Sequence, residues 1–99
     1  MDIDAIHKAL ANPVRRQILA WLKDPEMYFA EPIHQPLQVG VCAGLIERQV
    51  GLSQSTVSAH LSILTKAGLI TSQRVGQWIY FKRDEAVIQA FVDHMNAAL

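Results

Sequence analysis

The sequence predicts a mainly α-helical domain carrying one small β-hairpin, and three observations support that prediction. Apolar residues recur at three- and four-residue spacing over most of the chain. The stretch GLSQSTVSAHL, residues 51–61, joins two such segments through a glycine-containing turn. Alternating, β-favouring residues then flank Val75 and Gly76. With 99 residues, 51% of them apolar, the chain has material for one core, so residues 1–99 are expected to form a single domain.

From Asp2 to Ala11, the residues Ile3, Ile6, Ala9 and Leu10 fall at helical spacing, which predicts a short amphipathic first helix. In NPVRRQILAWLKDP, Asn12 is placed to cap a second helix, and Pro13 suits its first position because the N–H it lacks would be unpaired there. Val14, Ile18, Leu19 and Leu22 form that helix's apolar stripe, and Pro25 ends it. The next stretch, PEMYFAEPIHQPLQVG, contains three prolines and is expected to be irregular. Its Met27, Tyr28 and Phe29 are expected to pack on the domain or a partner subunit, or to wall a small-molecule pocket.

Val41 to Val50 predicts a third helix that ends at Gly51, a residue able to take positive φ. Ser53 then caps a fourth helix reaching Ala67, with Val57, Leu61 and Leu64 facing inward and Gly68 closing it. LITSQRVGQWIYFKRD reads as two strands and a tight turn, with Arg74 and Gln77 near the tip. Asp84 to Leu99 puts Val87, Ile88, Phe91, Val92, Met95 and Leu99 on one broad stripe, which must cover the chain's own core or meet a second chain, the latter favoured by the apolar first helix beside it. A helix, a short turn, a capped helix and a hairpin in that order make a winged helix-turn-helix, for which a dimer through the first and last helices is expected.

The outer face of the fourth helix decides the expected chemistry. It presents Gln54, Ser55, Ser58, Ala59 and Ser62, with Thr56 and His60 at its flanks. Short hydroxyl and amide groups let a helix approach base edges closely, whereas a merely solvated helix favours lysine and glutamate. The chain is neutral only on average: residues 1–46 carry four basic and five acidic side chains, 47–83 five and one, and 84–99 none and three. A basic reading segment thus lies between an acidic start and an acidic end, as phosphate contact requires.

Other chemistries find less support. No paired-carboxylate motif, glycine-rich phosphate loop or arrangement of base and nucleophile around Cys42 is present, so neither an enzyme nor a cofactor is expected. The single cysteine forms no internal disulfide, and His7, His34 and His94 read as surface or packing residues. No apolar run is long enough to span a membrane, and the start MDIDAIHKAL does not read as a signal peptide, so a cytoplasmic location is expected.

The segments HKALANPVRRQILAWL, GLSQSTVSAHLSILTKAGLI and RVGQWIYFKR together resemble the ArsR family of bacterial winged-helix repressors over nearly the whole chain outside the proline-rich insert. The resemblance implies a homodimer on double-stranded DNA, an imperfect palindromic operator, and repression relieved by a chemical signal. It implies DNA contacts from Gln54, Ser55, Thr56, Ser58 and His60, and from Arg74 and Gln77 on the wing. The dimer interface would comprise Ile3, Ile6, Leu10, Ile88, Phe91, Val92 and Met95.

Two departures bear on the signal. The family's arsenic and cadmium sensors use a Cys-x-Cys pair, and here Gly44 stands where the partner of Cys42 belongs; for the zinc sensors' last-helix set, only the adjacent Asp93 and His94 are present. A small molecule or oxidant is therefore expected as effector in place of a metal. Cys42, taken to lie in the first turn of the third helix, reads either as a small buried hydrophobe or as the candidate sensing residue. The alternative function is a winged-helix protein-interaction module, whose fourth helix would normally expose apolar anchors.

Overall fold

The structure, a computed structural model, describes residues 1–29 and 39–99. Helix α1 (Ile3–Leu10) starts at Asp2, whose carboxylate accepts from the Ala5 N–H at 3.0 Å. Helix α2 (Pro13–Lys23) starts at Asn12, whose Oδ1 accepts from the N–H groups of Val14 and Arg15, so two donors without intrahelical partners are satisfied by one side chain. A four-residue helix, α3 (Pro25–Tyr28), follows where irregular chain was expected, because proline at a first helical position begins a turn as readily as it ends the preceding one. Phe29 is buried in the core, while Met27 and Tyr28 are exposed. His34 and the rest of the insert from 30 to 38 lie outside the described residues.

The chain returns at Gly40, and here the structure corrects the sequence reading. Val41–Cys42 is not the opening of a helix but a short strand, β1, pairing antiparallel with β3 (Trp78–Arg83) through Val41 opposite Phe81 and Cys42 opposite Tyr80. Helix α4 begins only at Ala43 (Ala43–Val50). β-Branched Val41 favours a strand once an edge is offered, and only the folded hairpin offers that edge. Strand β2 (Ile70–Val75) pairs on the other side of β3, so among the described residues the order is β1–β3–β2. Gly76 and Gln77 form the two-residue turn, with Gly76 at φ 62°.

Helix α5 (Gln54–Lys66) follows α4 across Gly51, at φ 76°, and Ser53, whose Oγ accepts from the Thr56 N–H. Val57, Leu61 and Leu64 enter a core shared with Ile6, Ile18, Ile46 and Leu69. Asp84 caps the final helix, α6 (Glu85–Ala98), by accepting from the Val87 N–H. No residue of α6 is fully buried; Val87, Ile88 and Phe91 lean on the core, whereas Val92 is 43% exposed.

Gly40 is the tightest point of this arrangement. It sits at φ +133°, and a Cβ there would lie 2.8 Å from the Phe81 carbonyl oxygen, so both conformation and space demand glycine. Gly44, the second residue of α4, has no atom within 4 Å of such a Cβ. Chemical denaturation should therefore separate the two: Gly40→Ala is expected to lose about 1–3 kcal/mol or more, and Gly44→Ala to be neutral or more stable by up to about 1 kcal/mol.

Candidate nucleic-acid interface

Burial fixes how α5 is turned. With Val57, Leu61 and Leu64 inward and about 100° of rotation per residue, the ridge opposite the core is Ser55, Ala59, Ser62 and Lys66, all exposed. Gln54, Ser58 and Thr65 lie on the side toward the hairpin, and Thr56 and His60 on the other. Lys66 escaped the sequence reading, although stepping three and four residues from Ser55 reaches it. The Thr65 hydroxyl is occupied within its own helix, donating to the Leu61 carbonyl at 2.7 Å.

The hydroxyls at the start of α5 form a connected cap. The Ser53 Oγ donates to the Thr56 Oγ1 at 2.8 Å and lies 3.3 Å from the Ser55 Oγ. Gln54 and Ser58 instead line a groove of about 390 Å³ between α5 and strand β3, walled by Ala43, Leu61, Ile79 and Phe81 and closed at its ends by Glu47 and Lys66. An adjoining depression of about 370 Å³ continues past Glu47 and Gln54 to Cys42, Gln77 and Trp78. The outward side of α5 is thus a ridge with a furrow beside it, and an acid, Glu47, stands in the furrow.

At the hairpin tip, Arg74 and Gln77 are both exposed. The Arg74 Nε donates to the Gly76 carbonyl at 3.2 Å, which holds the guanidinium at the turn. Arg83, counted in the basic segment by sequence, is spent internally. Its Nε and Nη2 donate to the Glu85 carboxylate at 2.9 and 3.0 Å, and its Nη1 to the Leu19 carbonyl at 3.3 Å. The cations left facing solvent in that segment are Arg48, Lys66, Arg74 and Lys82.

Two further sequence expectations are corrected. Cys42 lies on β1, directly before the first turn of α4, and is 5% exposed; the buried Tyr80 opposite it has its hydroxyl pKa raised, first by burial and then by the thiol's negative form. Ile6 is fully buried within its own protomer and offers nothing to a second chain, unlike half-buried Ile3 and Leu10 beside it. His7 and His94 are exposed, as expected, with the His7 ring edge-on to Phe91 at 5.4 Å, so α1 and α6 meet.

Half-buried His60 is held by a residue that sequence reasoning passed over. The Arg15 Nη1 lies 3.1 Å from the His60 Nδ1, while its Nε donates to the Ala9 carbonyl at 2.7 Å and its Nη2 to the Lys8 carbonyl at 3.1 Å. Burial, and then the Arg15 charge, lower the His60 pKa below its ordinary value. Nothing in the spacing of residues 15 and 60 signals this contact, which joins α2 to α5 across the fold.

Fold and face together define a winged helix-turn-helix domain. A family model described as bacterial regulatory protein, arsR family, matches residues 41–72, from β1 through α5 into β2. The chain is 40% identical over 102 residues to the uncharacterized HTH-type transcriptional regulator YbzH of Bacillus subtilis, covering 100% of both. It is 32% identical over 90 residues to the transcriptional repressor SdpR of the same organism, covering 91% of this chain and 84% of that one. Among solved structures, the homodimeric winged helix-turn-helix DNA-binding domain of a Mycobacterium bovis protein matches with TM-score 0.67 and 28% identity, over 97% of this chain and 77% of that one. The chain belongs to the ArsR family of bacterial regulatory proteins. Among the described residues, no helix is long and apolar enough to cross a membrane, and no three His, Cys, Asp or Glu side chains cluster as metal ligands do.

The depressed His60 pKa sets a pH dependence. Below about pH 6.5 the unfolded chain binds a proton on this ring that the folded chain resists, so the stabilisation is complete above that pH and declines as pH falls through it. Thermal midpoints measured at about pH 7.5 and pH 5.5 should fall further for wild type than for His60→Gln, which does not titrate.

Proposed function

We propose that this chain is a dimeric, DNA-binding transcriptional repressor that places α5 in the major groove of each half of an imperfect palindrome and sets the hairpin beside it. One observation carries the reading: α5 buries Val57, Leu61 and Leu64 in the core and turns outward a ridge of small side chains, Ser55, Ala59 and Ser62, ending in Lys66, with exposed Ile63 beside it. Such a surface admits close approach to base edges, and Gln54 and Ser58 extend it toward the wing. Thr56, His60, Arg74 and Gln77 flank it, suited to backbone contact. Repression, the activity of the SdpR relative, is the direction proposed for this chain.

The dimer is read from α1 and α6. Half-buried Ile3, Leu10, Ile88, Phe91 and Met95 adjoin exposed Val92, and the edge contact of His7 with Phe91 makes one continuous face of the two helices. The Mycobacterium bovis domain is homodimeric, which supports a pair of copies as the assembly. A two-fold pair of such faces would bring two copies of α5 to successive half-sites. Release by a small molecule or an oxidant is read from the furrow beside α5, which has apolar walls and Cys42 at its base. A ligand seated there, or an oxidised Cys42 sulfur, would alter the spacing of wing and helix. A bacterial transcriptional regulator meets its DNA in the cytoplasm, and this reading places the protein there.

Gel shifts with the protein's own upstream DNA and with random DNA, over a range of salt, test the reading. Gln54→Ala is expected to cost about 1–3 kcal/mol on the operator and little on random DNA. Arg74→Ala should weaken both and reduce the slope of log affinity against log salt by about 0.9. Equal losses for Gln54→Ala on both DNAs would refute base reading by that residue.

The assembly has its own test. Val92 is exposed in the protomer, so Val92→Glu leaves the protomer core intact while burying a charge in the dimer twice over by symmetry. Sedimentation should show a wild-type dimer and a Val92→Glu monomer with unchanged helical content. The cost of placing two carboxylates in an apolar interface adds to the lost burial of two valines, each worth less than the roughly 1.5–3 kcal/mol of a fully buried side chain. A wild-type monomer at micromolar concentration would count against the dimer.

A further inference from the structure

We propose that Arg15, on α2 and outside the helix-turn-helix, is a positioning residue for DNA binding: it holds His60 as the neutral Nε2–H tautomer, so that α5 offers the phosphate backbone a hydrogen-bond donor without charge. The inference deepens the reading of α5 as the DNA-contacting helix and rests on it.

The chemistry follows from the donor inventory. A guanidinium has only N–H donors and keeps its proton at any physiological pH, so the Nδ1 of His60, 3.1 Å from the Arg15 Nη1, must be the acceptor. Its lone pair is then occupied, and the ring proton resides on Nε2. Arg15 has little freedom to turn away, because its other two bonds fasten it to the Ala9 and Lys8 carbonyls at the end of α1. The charge acting on the ring is that of Arg15, from α2, and the α1 groups facing the same guanidinium are these carbonyls. Burial and that charge both disfavour a second ring proton, so His60 is neutral at neutral pH.

Position selects the target. His60 stands three residues beyond Val57, on the flank of α5 away from the hairpin, and not on the ridge of Ser55, Ala59, Ser62 and Lys66. For a helix lying in the major groove, a flank side chain meets the wall of the groove, which is sugar and phosphate. A neutral donor there contributes affinity for any sequence and displaces no counterion, unlike a lysine or arginine.

The experiment combines the histidine tautomer with a salt series. Long-range proton–nitrogen NMR of the full, nitrogen-15-labelled protein, with the His60 signals identified by their loss in His60→Ala, should show the Nε2–H form. On both upstream and random DNA, His60→Ala is expected to lose about tenfold in affinity with the salt slope unchanged. Arg15→Met should lose about as much, shift His60 to mixed tautomers, and add little in the His60→Ala background. His60→Gln, which keeps a neutral donor and an acceptor for Arg15, should retain most of the affinity. If Arg15→Met fails to fold, the wild-type tautomer and the His60→Ala slope still decide.

An Nδ1–H tautomer, a slope reduced by about 0.9 in His60→Ala, additive losses in the double variant, or undiminished binding by His60→Ala would overturn the proposal. A wild-type protein that binds neither DNA would instead bring down the DNA-binding reading itself, and this inference with it.

Discussion

Val57, Leu61 and Leu64 enter the core from one face of α5, and every functional feature of the molecule depends on the rotation they impose. Each is at most 3% exposed, so turning the helix by one residue's step would drive a serine or histidine into the core and lift a leucine out. The polar ridge, the furrow toward the hairpin and the flank bearing His60 are consequences of that burial. Gly51 and Ser53 set where α5 begins, but the core sets which way it faces.

Charge in this chain is divided between surface and structure in a way that composition hides. Arg15 and Arg16 donate to the carbonyls of Lys8, Ala9 and Leu10, groups at the C-terminal end of α1 that have few helical partners of their own. Arg83 ties the end of β3 to the start of α6 through Glu85 and to α2 through Leu19. These arginines act as fasteners between helices, and the planar, multiply donating guanidinium suits that task better than lysine. The cations left for phosphate are correspondingly few, and Glu47 opposes them in the furrow. On the proposed reading of α5, weak affinity for DNA at large, with discrimination left to its ridge, would follow.

The strand at Val41–Cys42 links the two halves of the proposed DNA-binding surface. It pairs with β3 on one side and runs directly into α4 on the other, so the hairpin and the helix-turn-helix are held at a fixed spacing. Gly40 lets the chain reach this position by passing against the Phe81 backbone. The same strand places Cys42 at the base of the furrow, packed and nearly covered, where a change at sulfur or in the furrow would be felt by both walls.

The sequence by itself determined the longer helices, several of their caps and the hairpin, because these are local: Asn12, Pro13, Gly51, Ser53 and Gly76 act on neighbours within a few residues, and the three- and four-residue spacing of apolar side chains records which face is buried. It also made the polar face of α5 legible, down to the residues flanking it. What it left undecided depends on partners distant in the chain. Val41 and Cys42 became a strand because an edge of β3 was present, Ile6 was drawn into the protomer's own core although its spacing matched that of Ile3, and Arg83 was neutralised by neighbours brought to it by the turn into α6. Arg15 and His60 are 45 residues apart and share no pattern; only the packing of α2 against α5 brought a fixed cation to a ring nitrogen and so decided which atom of His60 carries its proton.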